Sequence, residues 1–132
     1  MAIHQEITLH CKPAIVYQAL TEAGEFATLT GAPAEIDTSE GGAFSTFGGQ
    51  ISGRNIELKP DALIVQAWRA GTWPEDTYSI VRIKLEPVGA DTLLTLDQDG
   101  HPADAEDQLD GGWHKMYWEP LAAHCDSRSP DA

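Results

Sequence analysis

The sequence predicts an α+β domain in which a curved antiparallel β-sheet wraps around a long C-terminal α-helix, with two short helices after the first strand. Three observations support this prediction. The N-terminal segment alternates apolar and polar residues, the middle of the chain holds β-rich runs at roughly ten-residue spacing, and the C-terminal segment is amphipathic at helical spacing. A chain of 132 residues fits one such domain.

The first strand and the two helices follow from the first thirty residues. Apolar residues of the segment 3–9 alternate with polar ones, as in a strand with one buried face, and Gln5 is a polar residue on that face. Pro13 suits the first turn of a helix that reaches about Glu22. A short second helix is expected over Glu25 to Leu29.

The sheet is expected to be an antiparallel meander divided by Gly, Pro and Asp. Its expected strands are Glu35 to Asp37, Ala43 to Phe47, Gln50 to Leu58, Ala62 to Ala70, Thr77 to Glu86 and Thr92 to Gln98. Gly48-Gly49 is predicted to form a two-residue hairpin turn, because glycines accept the positive φ values that tight turns need. The next connections are expected at Pro60-Asp61 and Gly89-Ala90-Asp91.

The last helix is expected from about Asp104 to Ala123. Its apolar stripe consists of Leu109, Trp113, Met116, Tyr117, Pro120 and Leu121. Pro120 lacks the N–H that would bond the Met116 carbonyl, so a bend is predicted there. Packing this stripe into the curved sheet leaves a cavity wherever sheet and helix do not quite close.

Charge and composition narrow the possible partners and compartments. The chain carries 21 acidic and 8 basic side chains, a net charge of -13, which disfavours nucleic acid and membrane surfaces. Neither a signal peptide nor a membrane span is apparent, so a cytoplasmic location is expected. Cys11 and Cys125 belong to no C-x-x-C pair, and we expect reduced structural thiols. Residues 126–132 are expected to form a flexible tail after one domain over 1–125.

No sequence pattern indicates a metal, a cofactor or a catalytic centre. The five histidines have no recognised ligand spacing, and no G-x-S-x-G elbow is present. An acid–base pair inside the cavity stays open, with Gln66, Tyr78 or Asp97 as its polar candidates.

The candidate ligand-cavity residues are Gln66, Trp68, Trp113, Met116 and Tyr117. Strand alternation places Gln66 and Trp68 on one face, and the helical stripe carries the other three. For each aromatic residue, core packing is the alternative to contact with a ligand.

The candidate partner-contact residues are Trp73, Glu75 and Trp118. Trp73 lies in the turn AGTWPED, where it either covers the end of the barrel or anchors a partner. Trp118 lies about 100° from Tyr117 around an α-helix, so partial exposure is expected.

The order and spacing of several motifs resemble those of a known family. The segment GAPAEIDTSEGGAFSTFGGQISGRNIELKPDALIVQAWRAGTWPED (31–76), the pair His101-Pro102 and GWHKMYWEPL (112–121) are similar to the C-terminal domain of the heat-shock protein 90 ATPase activator. The resemblance implies a helix-grip fold of the START-like, Bet v 1-like class (SRPBCC superfamily). That superfamily includes binders of lipids, hormones and polyketides as well as a few enzymes.

Two functions remain in view, together with a less favoured third. The first is binding of a hydrophobic small molecule in the cavity, with Gln66 fixing its polar end. The second, implied by the resemblance, is a co-chaperone-like protein-interaction module of the stress response that docks on a chaperone or other partner through loops such as Thr72 to Asp76. An enzyme of the polyketide cyclase or hydrolase type is the third. Either a monomer or a homodimer is compatible with the sequence.

Overall fold

The computed structural model describes residues 2–128. The strands are β1 (Ala2–Leu9), β2 (Ala34–Ile36), β3 (Ala43–Thr46), β4 (Ile51–Lys59), β5 (Leu63–Ala70), β6 (Ser79–Val88) and β7 (Asp91–Asp99). The first two helices are α1 (Pro13–Thr21) and α2 (Ala23–Thr30). A continuous C-terminal helix over 106–128 consists of α3 (Glu106–Gly112), a π-helical segment (Trp113–Trp118) and α4 (Glu119–Arg128).

The seven strands form one antiparallel sheet in the order β1-β7-β6-β5-β4-β3-β2. Consecutive strands from β2 to β7 are neighbours, which is the expected meander. The first strand returns to pair with the last, with Ile3 opposite Gln98 and Leu9 opposite Thr92. The expected α+β helix-grip architecture is confirmed, with the C-terminal helix on the inner face of the sheet.

Most element boundaries agree with the sequence, but the hairpin between β3 and β4 differs. Residues Phe47–Gly49 form a 3-10 turn between β3 and β4 in place of the predicted two-residue Gly48-Gly49 hairpin. Phe47, Gly48 and Gly49 all have positive φ, at 54°, 66° and 92°. This longer turn directs the Phe47 ring inward, where it packs edge-on against Phe26 and Tyr117.

The two cysteines correct an expectation. Cys11 and Cys125 are joined by a disulfide that ties the end of the first strand to the last helix, with their Cα atoms 5.3 Å apart. They were expected to be reduced because the sequence could not show that residues 114 positions apart meet. Disulfides are rare in a reducing cytosol, so this bond does not support the expected cytoplasmic location, which stays a prediction.

The end of the last helix also differs from expectation. The tail was expected from Asp126, but the helix continues to Arg128, and residues 129–132 lie outside the described part of the chain. Within the residues that are described, no helix is long and apolar enough to cross a membrane.

Candidate functional site

A cleft of about 570 Å³ lies between the C-terminal helix and the end of the sheet where β4 and β5 meet the 3-10 turn. Its apolar walls are formed by Phe47, Trp68, Trp73, Leu109, Trp113 and Tyr117. The exposed side chains of Gln50, Thr72, Gln108 and Met116 stand at its mouth. The cleft is the incomplete closure between sheet and helix that the sequence predicts.

Four tryptophans and Tyr117 form one continuous cluster of aromatic rings along the cleft wall and behind it. The Trp68 ring lies 5.6 Å from Trp73 and 5.5 Å from Trp113, measured between ring centroids. Trp113 in turn contacts Tyr117 at 4.3 Å and stacks on Trp118 at 5.4 Å, with an angle of 18° between the planes. Such offset contacts stabilise aromatic clusters and hold the cleft wall rigid.

A buried polar chain fixes Trp113 against the sheet. The Trp113 indole Nε1 donates to Gln98 Oε1 at 2.8 Å, and Gln98 Nε2 donates to Ser79 Oγ at 2.9 Å. Ser79 Oγ then donates to the Trp68 carbonyl at 3.0 Å. Gln98 is only 1% exposed, so these bonds cannot be replaced by bulk water.

A second glutamine performs the same task for Trp118. The Trp118 indole Nε1 donates to Gln5 Oε1 at 2.7 Å, and Gln5 Nε2 donates to the Asp110 carbonyl at 2.8 Å and to its Oδ1 at 2.7 Å. Gln5, the polar residue on the apolar face of β1, is thus hydrogen-bonded to the last helix.

Trp118 is buried, at 3% exposure, and its expected partial exposure is wrong. The expectation assumed an α-helix, in which Trp118 would lie about 140° from Trp113. The segment is π-helical, and the Glu119 N–H bonds the His114 carbonyl five residues earlier. The wider π-helical turn brings residues five apart closer to one face than an α-helix does, and both tryptophans lie on the inner face. The segment ends two residues before Pro120, which has no N–H to donate, and the bend expected at Pro120 stays a prediction.

Trp73 is also buried, at 8% exposure, and folds onto Trp68 at the end of the sheet. Arg69 holds its loop in place: Nη2 donates to the carbonyls of Trp73 and Pro74 at 3.0 and 3.2 Å. Of the two interpretations of Trp73, the covering role agrees with this position. Glu75 in the same loop is exposed.

Gln66 lies away from the cleft. Its Nε2 donates to Asn55 Oδ1 at 3.0 Å, and the side chain borders a separate void of about 20 Å³ beneath Tyr117. The other four predicted cavity residues, Trp68, Trp113, Met116 and Tyr117, do line the cleft together.

Tyr117 is the one titratable side chain among the described residues that line the cleft. Burial among aromatic rings raises the pKa of its phenol above the usual value. The group is therefore neutral at physiological pH and is not a base there. No group of His, Cys, Asp and Glu within residues 2–128 could hold a metal ion. Of the open acid–base candidates, Tyr78 and Asp97 are exposed and lie outside the cleft.

Two residues that shape the site, Gln98 and Phe47, were not predicted from the sequence. Gln98 alternates with Leu94 and Leu96 on the inner face of β7, so its position in a buried strand was a visible signal. Phe47 gave no such signal, because its inward position depends on the conformation of the 3-10 turn.

Known proteins resemble the chain in sequence and in fold. The family model described as "Activator of Hsp90 ATPase homolog 1-like protein" matches residues 10–126. "Activator of 90 kDa heat shock protein ATPase homolog 1" from Homo sapiens is 30% identical over 114 residues, 86% of this chain and 34% of that protein. Homolog 2 from Mus musculus is 35% identical over 89 residues, 67% of this chain and 27% of that protein. The chain thus spans about a third of the length of these curated relatives.

A solved structure covers the whole domain. The crystal structure of an HSP90 activator from Plasmodium falciparum superposes with a TM-score of 0.89 at 26% identity, over 93% of this chain and 94% of that one. Together with the family match over residues 10–126, this similarity means that the chain belongs to the Activator of Hsp90 ATPase homolog 1-like family.

Proposed function

We propose that this domain binds an apolar, ring-containing small molecule in the aromatic cleft. The observation that supports this proposal is the space of about 570 Å³ walled by Trp68, Trp113 and Tyr117. Ligand pockets usually measure about 300–1,000 Å³ and are lined by apolar and aromatic side chains.

The arrangement favours a molecule with one apolar and one polar end. Aromatic walls offer ring faces for stacking on a flat apolar body. The polar groups of Gln50, Thr72 and Gln108 stand at the mouth, where they can meet hydroxyl or carbonyl groups of the ligand. These three residues replace Gln66 in that role, because the Gln66 amide is already bonded to Asn55.

The test is a fluorescence titration with defined probes. We expect 1-anilinonaphthalene-8-sulfonate and a flat tricyclic phenol to change the tryptophan emission saturably. Met116→Glu places a charge at the mouth and should weaken binding about tenfold or more, since burying a charge against apolar surface is costly. His114→Glu adds the same side chain at an exposed position on the same helix outside the cleft, and should leave binding unchanged. A flat response to every probe, or equal affinity in both variants, would reject the proposal.

The chemistry of the cleft favours binding over catalysis. A cyclase or hydrolase needs a positioned acid, base or nucleophile. Among the described residues of the cleft, Tyr117 is the one titratable group, with its raised pKa, and no base accompanies the hydroxyl of Thr72. We therefore do not propose an enzyme activity.

A second candidate function is contact with an Hsp90-type ATPase. It is favoured by the family match over residues 10–126 and by the near-complete overlap with the Plasmodium falciparum HSP90 activator. Of the three residues predicted to contact a partner, Trp73 and Trp118 are buried and Glu75 is exposed. We expect a purified Hsp90-type chaperone to hydrolyse ATP at a changed rate in the presence of the domain, and Glu75→Lys to reduce that effect. An unchanged rate, with no binding by calorimetry, would remove this candidate.

A further inference from the structure

The outer face of the sheet, opposite the cleft, carries three arginines on adjacent strands. Strand register places Arg54 and Ile80 on either side of Ala67. Arg69 follows Ala67 by two residues on β5, and Arg82 follows Ile80 by two residues on β6, so both lie on the same face. We call the surface formed by Arg54, Arg69, Arg82, Tyr78 and Ile80 around Ala67 the arginine face. It spans three strands, so it is about 10 Å wide.

The three guanidinium groups have hydrogen-bond donors to spare. Arg54 uses Nη1 on the Gly41 carbonyl at 3.0 Å. Arg69 uses Nε and Nη2 on main-chain carbonyls of the loop after β5, while its Nη1 has no bond within the described residues. Arg82 makes no side-chain hydrogen bond or ion pair with any residue of 2–128. None of the three arginines forms an ion pair with a carboxylate of residues 2–128, although the chain carries 21 acidic side chains.

Two lysines on the same side of the sheet, unlike the three arginines, each form an ion pair with a glutamate. Lys59 lies 3.5 Å from Glu57, and Lys84 lies 3.5 Å from Glu86. These acidic residues offset the lysines. Near the arginines, the register places Asp97 opposite Arg82 and Asp99 opposite Ile80, so acidic residues border the face on its β7 side.

An apolar depression lies beside Arg54 on this face. A shallow hollow of about 520 Å³ is floored by Ala43, Gly53 and Ala67 and bordered by Arg54 and Tyr78. Gly53 allows β4 and β5 to approach closely beneath this hollow, because a methyl group there would overlap the Ala67 carbonyl oxygen.

Large apolar side chains stand exposed at the edge of this hollow. Tyr78 is 49% exposed and Ile80 is 47% exposed. The Arg69 guanidinium lies 5.8 Å from the centre of the Tyr78 ring, in cation–π range, and its bonds to the loop limit its movement. Aromatic residues and arginines of this kind dominate the energetics of protein interfaces.

We propose that the arginine face docks a short acidic segment of a partner protein, with carboxylates on the arginines and one apolar side chain in the hollow. Guanidinium groups pair with carboxylates in a two-pronged geometry, so arginines with free donors suit this ligand. The inference does not depend on what the aromatic cleft binds, because the two sites lie on opposite faces of the sheet.

A protein segment fits this surface better than a nucleic acid does. A nucleic acid strand would continue past the arginines onto β7 and β1, where Asp97, Asp99 and Glu6 share the outer face. A short segment with a few carboxylates ends within the width of the three strands. The net charge of -13 repels a long polyanion more strongly than a short one.

The experiment measures binding of a fluorescein-labelled peptide in which Asp and Glu flank a Leu-Phe pair. Comparison probes are the same peptide with Asn and Gln in place of the acids, and a labelled oligothymidylate. We expect saturable binding of the acidic peptide, weakened by salt, and loss of about tenfold in affinity in the double variant Arg54→Gln, Arg82→Gln. The matched control Lys12→Gln, Lys115→Gln removes two exposed charges elsewhere and should bind as the unmodified protein does.

Amide chemical shifts locate the site. The acidic peptide should shift the amides of Ala67 and Ile80 and leave Gly48 and Gly71 at the cleft unchanged. Because Arg54 bonds the Gly41 carbonyl, the single variant Arg82→Gln, which removes no bond, tests the charge without risk to folding. Equal binding by the two double variants, shifts confined to the cleft, equal affinity for the neutral peptide, or tighter binding of oligothymidylate would each overturn the proposal.

Discussion

Replacing Gln98 by Leu tests whether the buried polar chain fixes the helix to the sheet. Gln98 accepts the indole N–H of Trp113 at 2.8 Å and donates to Ser79 at 2.9 Å. Leucine has a similar size, so the change removes hydrogen bonds while keeping most of the packing. A buried N–H left without an acceptor costs about 1–3 kcal/mol, and the lost bond to Ser79 adds about 1 kcal/mol. We therefore expect the free energy of unfolding to fall by about 2–4 kcal/mol.

The assay is urea unfolding followed by far-UV circular dichroism, which reports mainly the loss of main-chain structure. Trp113→Phe removes the donor, so a double-variant cycle isolates the interaction. We expect Trp113→Phe to cost about 1–2 kcal/mol less in the Gln98→Leu background, because no N–H then remains unpaired. Additive effects, or a Gln98→Leu protein as stable as the original, would refute the reasoning.

Two other glutamines complete the comparison. Gln5→Leu should destabilise the protein to a similar extent, since it leaves the buried Trp118 indole without its acceptor. Gln18→Leu changes an exposed residue of α1 and should stay within about 0.5 kcal/mol of the original protein.

Three further perturbations test other parts of the fold. Reducing the disulfide between Cys11 and Cys125 should lower the free energy of unfolding by about 2–5 kcal/mol in urea titrations with and without a phosphine, because the bond joins residues 114 positions apart. An unchanged midpoint would contradict this. Gly53→Ala should cost about 1–3 kcal/mol or more in the same assay, since its methyl group overlaps the main chain of β5. A Gly53→Ala protein as stable as the original would contradict this prediction, because it would mean that β4 and β5 can move apart at little cost. The pKa of His4 should lie above 6.5, chiefly because its ring bonds the carboxylate of Asp97, and Asp97→Asn should lower it in an NMR titration. The stability from this pair is present below pH 6.5 and is lost as the pH rises through the folded-state value. An unchanged His4 pKa in the variant would rule out Asp97 as the main cause.

Most of the fold could be predicted from local patterns. Alternation along the strands and helical spacing at the C-terminal end located the elements to within a few residues, since both periodicities follow from the backbone geometry of each element. The same patterns assigned Trp68, Trp113, Met116 and Tyr117 to one cavity, and the structure brings these four side chains to one cleft.

Errors arose where a side chain depends on a distant or irregular part of the chain. Gln66 and Gln98 both face inward on buried strands, and only the packing of the last helix decides which one meets a tryptophan. The exposure of Trp118 depended on helical pitch, which a π-helical segment changes.

The sequence by itself determined the order of elements, the meander and the composition of the cleft wall, because hydrophobic periodicity is a property of neighbouring residues. Only the tertiary structure decided that Cys11 meets Cys125, that Trp73 and Trp118 are buried, and that three arginines share one outer surface. Each of these depends on strand register or on helix packing. Both join residues far apart in the chain, and no local pattern records such contacts.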